Sequence, residues 1–297
     1  MLRFRAMGTN MHVIVLDGDA HLLELARARI EDLEHRWSRF LPNTELALLN
    51  RDAGSGTPTE LTAITFDLVV SAIDAWRETG GLFDPSILPA LVAAGYDRSF
   101  DQGHGPTSSV RASADLTCDD IVVDHDTLAV MLPQGCALDL GGIGKGRAAD
   151  LVAEELVESG LSTGGCINLG GDLRVFGSAP DDAPAWAVGL DEPGDGDVVM
   201  LVVGLADGAL ATSSTTRRRW QSEDGRWRHH IIDPRTHEPA ATDVTSVSVI
   251  AGTTVTAEVH AKASLIAGKP SDDMLPMLFV HDDGSRTMFN DFEAYVW

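Results

Sequence analysis

The sequence predicts an α+β fold, and two observations support this prediction. Apolar residues recur with the alternation of a β-strand in some segments and with the spacing of an amphipathic helix in others. These two kinds of segment occur in runs, whereas a doubly wound sheet would require them to alternate evenly. No internal repeat is visible in the sequence.

The first part of the chain is predicted to form a strand and two amphipathic helices. Residues 11–16 are predicted as a strand that follows a turn at residues 7–9. Residues 21–37 are predicted as a helix because a 3-4-3-4 spacing separates the apolar residues Leu23, Ala26, Ile30, Leu33 and Trp37. The second helix covers about 63–78, with Gly80 as its predicted C-cap. A turn is expected at residues 83–85.

The rest of the chain is predicted to be richer in strands. Residues 97–118 contain many Asp, Gly, Ser and Pro residues and are predicted as a surface loop excursion. A hairpin is expected around residues 124–126, and a glycine-rich turn at 141–146 opens a helix that Gly160 ends. Further strands are predicted at 167–176, 186–190, 198–205, 229–233 and 244–251, followed by a helix at about 254–267 and a last strand near the C-terminus.

Composition and charge exclude several classes of protein. The chain has 297 residues, of which 44% are hydrophobic and 23% charged, as is typical of globular proteins. Its formal net charge of −23 argues against a nucleic-acid-binding protein and would repel an anionic membrane surface. The three cysteines have no motif spacing, which favours buried thiols in a reducing compartment. Because no segment is apolar enough to span a membrane, and the N-terminus lacks an apolar signal core or a cysteine for lipid attachment, we expect a cytoplasmic protein.

The strongest local motif is the segment ALDLGGIGKGRAAD at residues 137–150. Its small residues allow backbone amides to approach a ligand, and the start of the following helix presents unpaired N–H groups and partial positive charge. Lys145 adds a full charge at this point. The segment matches neither a Walker A loop nor the GxGxxG motif. It is therefore predicted either as a phosphate-binding turn or as a packed turn between a strand and a helix with an incidental lysine.

Two further segments are candidates for a site. The turn NLGGD at residues 168–172 separates two strand-like stretches, and such a turn is by itself more typical of a hairpin or bulge than of a ligand site. The segment HHIIDPRT at residues 229–236 places two histidines next to each other on a predicted strand, where neighbouring side chains point to opposite faces. One of them at most can face a site, and the alternative is an exposed pair.

Taken in order, these segments resemble the ApbE family of FAD:protein FMN transferases over nearly the whole chain. The order is LDLGGIGKGRAAD, INLGGDLRVFG, ATSSTTRRRW and HHIIDPRTHEP, followed by a strand and a helix. Three earlier segments agree as well: MGT at 7–9, FLPNTEL at 40–46 and GLFDPS at 81–86. The resemblance implies a single unit over residues 1–297 made of two intertwined α+β lobes, with FAD in the cleft between the lobes.

The resemblance also implies an activity and a set of residues. Members of the family use Mg²⁺ to transfer FMN from FAD to a Thr or Ser of a partner flavoprotein, with release of AMP, and some relatives hydrolyse FAD to FMN and AMP. His230 is the better of the two histidines as a general base, and Asp233 is expected to help organise the site. By position, the expected contacts to the flavin or the diphosphate are Met7, Thr9, Lys145, Asn168, Gly170, Gly171, Asp172 and Thr212.

One helix departs from the family pattern. On the helix after the last long strand, the family carries an Asp and, four residues later, a Thr, which both bind the metal. Glu258 and Lys262 occupy these positions in this chain. An ammonium group only donates hydrogen bonds and cannot bind Mg²⁺, which takes oxygen ligands. The remaining candidate ligands are Glu258 and the main chain of Gly144.

Three alternatives for the function follow from this departure. In the first, Lys262 places its own charge near the diphosphate in an enzyme that depends little on Mg²⁺. In the second, the chain binds FAD without transferring FMN, or hydrolyses FAD as a pyrophosphatase. In the third, Glu258 still binds the metal, and activity is normal. A purely structural role is also open for the two side chains, as a helical ion pair worth ~0.2–0.5 kcal/mol.

Overall fold

A computed structural model describes residues 1–103, 116–222 and 225–297 of the chain. Over these residues the α-helices are α1 (Ala20–Trp37), α2 (Glu45–Arg51), α3 (Ala63–Glu78), α4 (Leu88–Ala93), α5 (Gly144–Ser159) and α6 (Thr254–Ala267). The strands are β1 (Leu2–Ala6), β2 (Thr9–Leu16), β3 (Thr59–Glu60), β4 (Val122–Asp124), β5 (Ala129–Met131), β6 (Gly164–Leu169), β7 (Asp172–Gly177), β8 (Trp186–Glu192), β9 (Asp195–Leu205), β10 (Gly208–Ser214), β11 (Arg219–Gln221), β12 (Trp227–His229), β13 (Ile232–Asp233), β14 (Glu238–Pro239), β15 (Val244–Ala251), β16 (Met277–His281) and β17 (Arg286–Phe289). Within the same ranges, no helix is both long enough and apolar enough to cross a bilayer.

The mixture of helices and antiparallel strands confirms the predicted α+β class. α3 and α6 begin and end at the predicted residues, because local signals mark their ends. At the start of α6, the hydroxyl of Thr253 accepts a hydrogen bond of 3.2 Å from the N–H of Thr256. At its end, Gly268 adopts a left-handed φ of +66°. Gly80 lies one residue beyond the C-cap of α3, which is Thr79, and has a φ of +59°.

Two predicted strands are divided in the structure. The predicted strand 167–176 is the β6–β7 hairpin, interrupted by Gly170 and Gly171. The prediction of one strand over 229–233 was wrong: β12 ends at His229 and pairs with β11, whereas β13 begins at Ile232 and pairs with β14. Alternation along a sequence cannot reveal such a change of partner. Residues 104–115 of the predicted surface excursion lie outside the described residues.

The chain forms two compact units, each made of separate segments. The first unit consists of Met1–Leu33, Lys145–Arg217 and Thr242–Trp297. Its central sheet has the strand order β1-β2-β6-β7-β10-β15-β16-β17, and every neighbouring pair is antiparallel. α6 packs on one face, against β7, β10 and β15. The β8–β9 hairpin shares an apolar core with the other face, to which Leu173, Leu210 and Ile250 contribute.

The second unit consists of Glu34–Gly144 and Arg218–Ala241. It contains α2, α3 and α4, a small sheet of order β3-β5-β4, and the two ribbons β11–β12 and β13–β14. The indole Nε1 of Trp220 donates a hydrogen bond of 3.2 Å to the carbonyl of Ala94, which satisfies the polar atom of this buried ring. One buried cluster of this unit comprises Ala90, Leu91, Ala94, Tyr96, Trp220 and Ile232.

All three cysteines are free thiols. Cys118 and Cys136 are buried, as predicted, and Cys166 is partly buried. Burial raises the pKa of Cys136 and of Cys166 to about 12. At pH 8 this lowers the thiolate fraction of each by about a thousandfold relative to an ordinary cysteine.

We therefore expect a disulfide reagent to titrate Cys136 and Cys166 only slowly in the folded protein and rapidly in denaturant. Fast labelling of the native chain would contradict their burial.

Candidate functional site

The first turn of α5 directs Lys145 towards two buried carboxylates. Its ammonium group donates hydrogen bonds to Asp172, at the start of β7, and to Oε1 of Glu258 in α6, the latter at 2.5 Å. The exposed fractions of the Lys145, Asp172 and Glu258 side chains are 15%, 6% and 4%. Charges as buried as these are tolerated only when they are paired. The ion pairs therefore connect α5, β7 and α6 at one point.

Burial and neighbouring charges shift the pKa values in this cluster. Burial raises the pKa of Asp172 to about 6, although the ammonium of Lys145 acts in the opposite direction. Burial alone would lower the pKa of Lys145, but the carboxylates of Asp172 and Glu258 outweigh it and hold that pKa above its usual range. The charge of Lys262 also lowers the pKa of Asp172. Lys262 thus lies within electrostatic range of the cluster.

Gly146 allows α5 and α6 to approach each other closely. Its N–H donates a hydrogen bond of 2.8 Å to Oε2 of Glu258. A Cβ atom at this position would lie 2.8 Å from the backbone oxygen of Thr254 and 3.0 Å from Oε2 of Glu258. Because the nearest of these atoms belongs to the backbone, no rotation of a side chain relieves the contact. Only glycine fits at position 146, because α5 and α6 are too close there for a Cβ atom.

Asp150 fixes the N-terminus of α6. It lies one turn after Gly146 on the same face of α5. Its Oδ1 accepts a hydrogen bond of 2.8 Å from the N–H of Thr254, and its Oδ2 accepts one of 3.0 Å from the N–H of Val255. The first N–H groups of a helix have no partner within the helix, and a carboxylate there also interacts favourably with the helix dipole. Asp150 therefore holds α6, and with it Glu258, against α5.

Replacing Gly146 with alanine is expected to lower the free energy of unfolding by about 1–3 kcal/mol. The reason is that the added methyl group meets the backbone of α6, although the same change at an exposed helical position stabilises by roughly 0.5–1 kcal/mol. Urea unfolding measures the difference. Gly144→Ala in the same turn is the matched control, since its Cβ would meet no atom closer than 3.7 Å. Equal effects of the two substitutions would show that the helices are not in close contact at Gly146.

Two tight turns lie side by side at one end of the sheet of the first unit. Gly170 and Gly171 connect β6 to β7 with φ values of +75° and +104°, as in a type I′ hairpin. Met7 and Gly8 connect β1 to β2 with φ values of +47° and +68°. A Cβ atom on Gly170 would lie 2.5 Å from the side chain of Thr9. The structure therefore brings these predicted contact residues together.

The strand register separates Asn168 and Thr212 from Asp172. Residues paired across neighbouring strands point to the same face of a sheet, and successive residues point to opposite faces. Leu173 pairs with Asn168 on one side and with Leu210 on the other. Asn168 and Thr212 therefore share the face of Leu173, whereas Asp172 points to the opposite face. If Asn168 and Thr212 contact a ligand, they do so on one face of the sheet, whereas Asp172 can contact a ligand only on the opposite face.

The side chains of Asn168 and Thr212 both make hydrogen bonds within the protein. Oδ1 of Asn168 accepts a hydrogen bond of 2.9 Å from the N–H of Gly171 and so stabilises the glycine turn. The hydroxyl of Thr212 is hydrogen-bonded at 2.8 Å to the hydroxyl of its cross-strand partner Ser248. The amide of Asn168 thus has a structural role in the turn, as the hairpin interpretation of this segment predicts.

The positions at which the resemblance implies metal ligands do not suit a divalent cation. The carbonyl of Gly144 lies in the first turn of α5 and is an uncharged oxygen, so it adds no negative charge to the site. The carboxylate of Glu258 already accepts hydrogen bonds from Lys145 and Gly146, and Lys262 is a donor only. At about 4 Å and an effective dielectric constant of about 20, each ammonium group repels a divalent cation by about 8 kcal/mol, which cancels the attraction by one carboxylate. Across the three described ranges, no group of three or more His, Cys, Asp or Glu residues is arranged to hold a metal ion.

His230 and Asp233 belong to the second unit. The imidazole ring of His230 lies edge-to-face to the ring of Tyr96, with 6.4 Å between the centroids. Oδ1 of Asp233 accepts hydrogen bonds of 2.9 Å from the N–H and from Nε of Arg235, and Oδ2 accepts one of 2.7 Å from Nη2. Burial would raise the pKa of Asp233, but the hydrogen bonds from Arg235 outweigh it and keep that pKa below its usual range. Asp233 is thus an ionised residue that shapes the turn after β13.

The second unit also contains a buried ion pair that we did not predict from the sequence. Nε of Arg39 donates a hydrogen bond of 2.6 Å to Oδ2 of Asp139, and Oδ1 of Asp139 accepts one of 2.6 Å from the N–H of Gly141. The guanidinium carbon of Arg39 lies 4.1 Å from the ring centroid of Phe40 and 4.8 Å from that of Tyr96. This pair fixes the start of the glycine-rich turn. The sequence contained one indication of the role of Asp139: it precedes Gly141 by two residues, which is the spacing of an Asx turn.

Known proteins with similar sequences agree on one family. The model of the ApbE family matches residues 7–277. The FAD:protein FMN transferase of Treponema pallidum is 31% identical over 242 residues, which cover 76% of this chain and 66% of that protein. The FAD:protein FMN transferase of Haemophilus influenzae is 27% identical over 279 residues, which cover 89% of this chain and 80% of that protein.

Solved structures share the fold. The ApbE protein of Thermotoga maritima superposes with a TM-score of 0.85 at 23% identity, covering 99% of this chain and 98% of that one. For the flavin transferase ApbE of Vibrio cholerae the TM-score is 0.81 at 22% identity, with the same coverage. These identities are low enough that the structures show the fold alone, whereas the sequence match to the family includes α5, the glycine turns and α6. The chain therefore belongs to the ApbE family.

Proposed function

We propose that this chain transfers the FMN part of FAD to a Thr or Ser hydroxyl of a partner flavoprotein and releases AMP. Membership of the ApbE family over residues 7–277 is the observation that carries the proposal. The matching proteins of Treponema pallidum and Haemophilus influenzae are FAD:protein FMN transferases by name. The predicted arrangement of two intertwined lobes, with the nucleotide in the cleft between them, stays a prediction.

We assign the binding of FAD phosphates to the start of α5 and the turns of the first unit. The start of a helix offers N–H donors and partial positive charge, and Lys145 adds an ammonium group in its first turn. Local donors of this kind are needed because the net charge of −23 would otherwise repel a diphosphate. Met7, Thr9 and the two glycines of the β6–β7 hairpin form the adjacent surface that we assign to contacts with the nucleotide.

In the proposed reaction, the hydroxyl oxygen of the acceptor attacks the phosphorus on the FMN side of FAD. The new P–O bond forms while the bond from this phosphorus to the bridging oxygen breaks, and that oxygen leaves as part of AMP. His230 is the proposed general base for the hydroxyl proton. Asp233, which Arg235 holds ionised, is proposed to position the segment that carries His230. Mg²⁺ is assigned no step, because the candidate ligand positions do not suit a divalent cation.

A second candidate function is the binding of FAD without transfer. It is favoured by the replacement of both expected metal ligands and by the hydrogen bonds that already engage Glu258. Hydrolysis of FAD, with water in place of the acceptor hydroxyl, is a third outcome of the same assay.

The test is to incubate the protein with FAD and a flavoprotein domain that a family member modifies, and to measure AMP and the mass of that domain. Transfer predicts AMP and FMN-labelled acceptor in equal amounts, and no labelling when the acceptor threonine is replaced with valine. Hydrolysis predicts AMP and free FMN with an unlabelled acceptor. Bound FAD with neither product would contradict the proposed transfer and support the binding function.

Replacing His230 with alanine is expected to slow AMP release by about 10²–10⁴-fold, because the acceptor hydroxyl would lose its base. FAD affinity, measured by the quenching of flavin fluorescence, should change little. His229→Ala is the matched control at the neighbouring position and should retain activity. A His230→Ala protein that is folded, binds FAD and turns over at the normal rate would remove His230 from the mechanism.

A further inference from the structure

We infer that the ammonium group of Lys262 takes the place of a divalent cation at this site: together with Lys145 it balances the carboxylates of Asp172 and Glu258, so that the chain binds the diphosphate of a flavin dinucleotide without a metal ion. The inference rests on the proposed function for the identity of the ligand. It concerns the same site and states how that site neutralises charge.

The first argument is the balance of fixed charges. Asp172 and Glu258 are buried carboxylates, and Lys145 is hydrogen-bonded to both. Two carboxylates with one ammonium group would leave a net negative charge, which is the condition that attracts a divalent cation. Lys262, whose charge acts on Asp172, is the second ammonium group and removes this net charge. The cluster is therefore balanced before any ligand or metal arrives.

The second argument is the position of Lys262. It follows Glu258 by four residues in α6, so both side chains lie on one face of the helix. The helix itself is fixed at its N-terminus by Asp150 and Thr253. Lys262 is half-buried, and its charge acts on Asp172. The helix face that carries Glu258 therefore also brings the second ammonium group to the cluster.

The third argument is the number of donors on Lys145. An ammonium group has three N–H donors, and Lys145 donates to two carboxylates. Its position is therefore fixed by protein groups, and at most one donor can point to a ligand. A diphosphate has several acceptor oxygens, which one such donor does not satisfy. We assign the further hydrogen bonds to Lys262, the other ammonium group of the cluster.

The first experiment measures metal binding without FAD. Mn²⁺ serves as a paramagnetic probe for a divalent-cation site. The electron paramagnetic resonance signal of unbound Mn²⁺ is recorded during titration with protein. The wild-type chain is expected to leave the Mn²⁺ signal unchanged. The double variant Glu258→Asp/Lys262→Thr, which restores an oxygen ligand at each position, is expected to bind about one Mn²⁺ per chain. Stoichiometric Mn²⁺ binding by the wild type would overturn the inference whether or not the chain is a transferase.

The second experiment measures FAD affinity by fluorescence quenching, in EDTA and in Mg²⁺. The wild-type dissociation constant is expected to differ by less than about twofold between the two, and Lys262→Thr is expected to weaken binding in EDTA by about tenfold or more. Lys269→Thr, an exposed lysine outside the site, is the matched control. The circular dichroism of each variant verifies folding. Mg²⁺ is expected to restore affinity in the double variant.

The outcomes separate this inference from the proposed function. Wild-type FAD binding that is lost in EDTA, or that is unaffected by Lys262→Thr, overturns the inference and leaves the proposed transfer intact. Metal-independent FAD binding without AMP release overturns the transfer and leaves the inference intact. If FAD binds under neither condition, both are wrong.

Discussion

Replacing Lys145 with methionine is expected to lower the free energy of unfolding by about 3–5 kcal/mol, because it leaves two buried carboxylates without their shared partner. This is a large part of the roughly 5–15 kcal/mol by which a domain is normally stable. Methionine retains most of the volume of the lysine side chain, so the loss reports charge and hydrogen bonds more than packing. FAD binding should be lost together with the stability.

The dependence of this effect on pH provides a second measurement. Without Lys145, burial should hold the pKa of Asp172 well above that of the unfolded chain, and burial already raises it to about 6 in the wild type. A carboxylate whose pKa is raised in the folded state destabilises the fold at high pH, and this penalty disappears as the pH falls through that pKa. The Lys145→Met variant should therefore regain stability relative to the wild type between about pH 7 and about pH 4.

Lys269→Met is the matched control for both measurements, because Lys269 is exposed. Its free energy of unfolding should stay within about 0.5 kcal/mol of the wild-type value. A Lys145→Met protein as stable as this control at neutral pH would mean that the two carboxylates do not depend on the ammonium group.

Replacing Asp150 with alanine is expected to cost about 2–4 kcal/mol of stability, since two N–H groups at the start of α6 lose their acceptor. Thr254 is buried and Val255 is half-buried, so solvent does not replace the lost carboxylate at full strength. The start of α6 should also loosen against α5, which moves Glu258 relative to Lys145. Urea unfolding at neutral pH measures the first effect, and a reduced FAD affinity reports the second.

Glu158→Ala on the exposed side of α5 is the control for the loss of a carboxylate from the same helix. It should change the stability by no more than about 0.5 kcal/mol. Asp150→Asn retains one acceptor oxygen and should recover part of the loss. If Asp150→Ala and Glu158→Ala are equally stable, Asp150 does not cap α6.

Much of the fold could be predicted because its signals are local. α6 was predicted with the correct ends, since Thr253 and Gly268 mark them in the sequence. The glycine turn between β6 and β7 was predicted as more typical of a hairpin or bulge, although one strand was also predicted over 167–176, and the structure has a hairpin there. The order of the strands in the central sheet could not be predicted, because the second partner of β2, after β1, is β6, far along the chain. The change of partner between β12 and β13 has no local signal either.

The candidate site could be predicted only in part. The resemblance identified the helix face of Glu258 and Lys262, but spacing on a helix does not reveal what lies opposite that face. The partners of Lys145 are 27 and 113 residues away in the sequence, so its ion pairs follow from tertiary packing. The capping role of Asp150 had one available signal, its spacing of four residues from Gly146. That signal is meaningful only once α6 is known to pack there.

The discontinuity of the two units has a consequence for how the chain acquires its fold during synthesis. β2 cannot pair with β6 until residue 169 has left the ribosome, because Met11 is the partner of Leu169. Residues 34–144, which form most of the second unit, are synthesised after β2 and before β6. The second unit is itself incomplete until residues 218–241 have been synthesised. Contacts so distant in sequence slow folding, since long loops must close before any pairing is gained. Nascent chains arrested before about residue 241 should therefore be sensitive to protease in both units, and full protection should appear only near complete length.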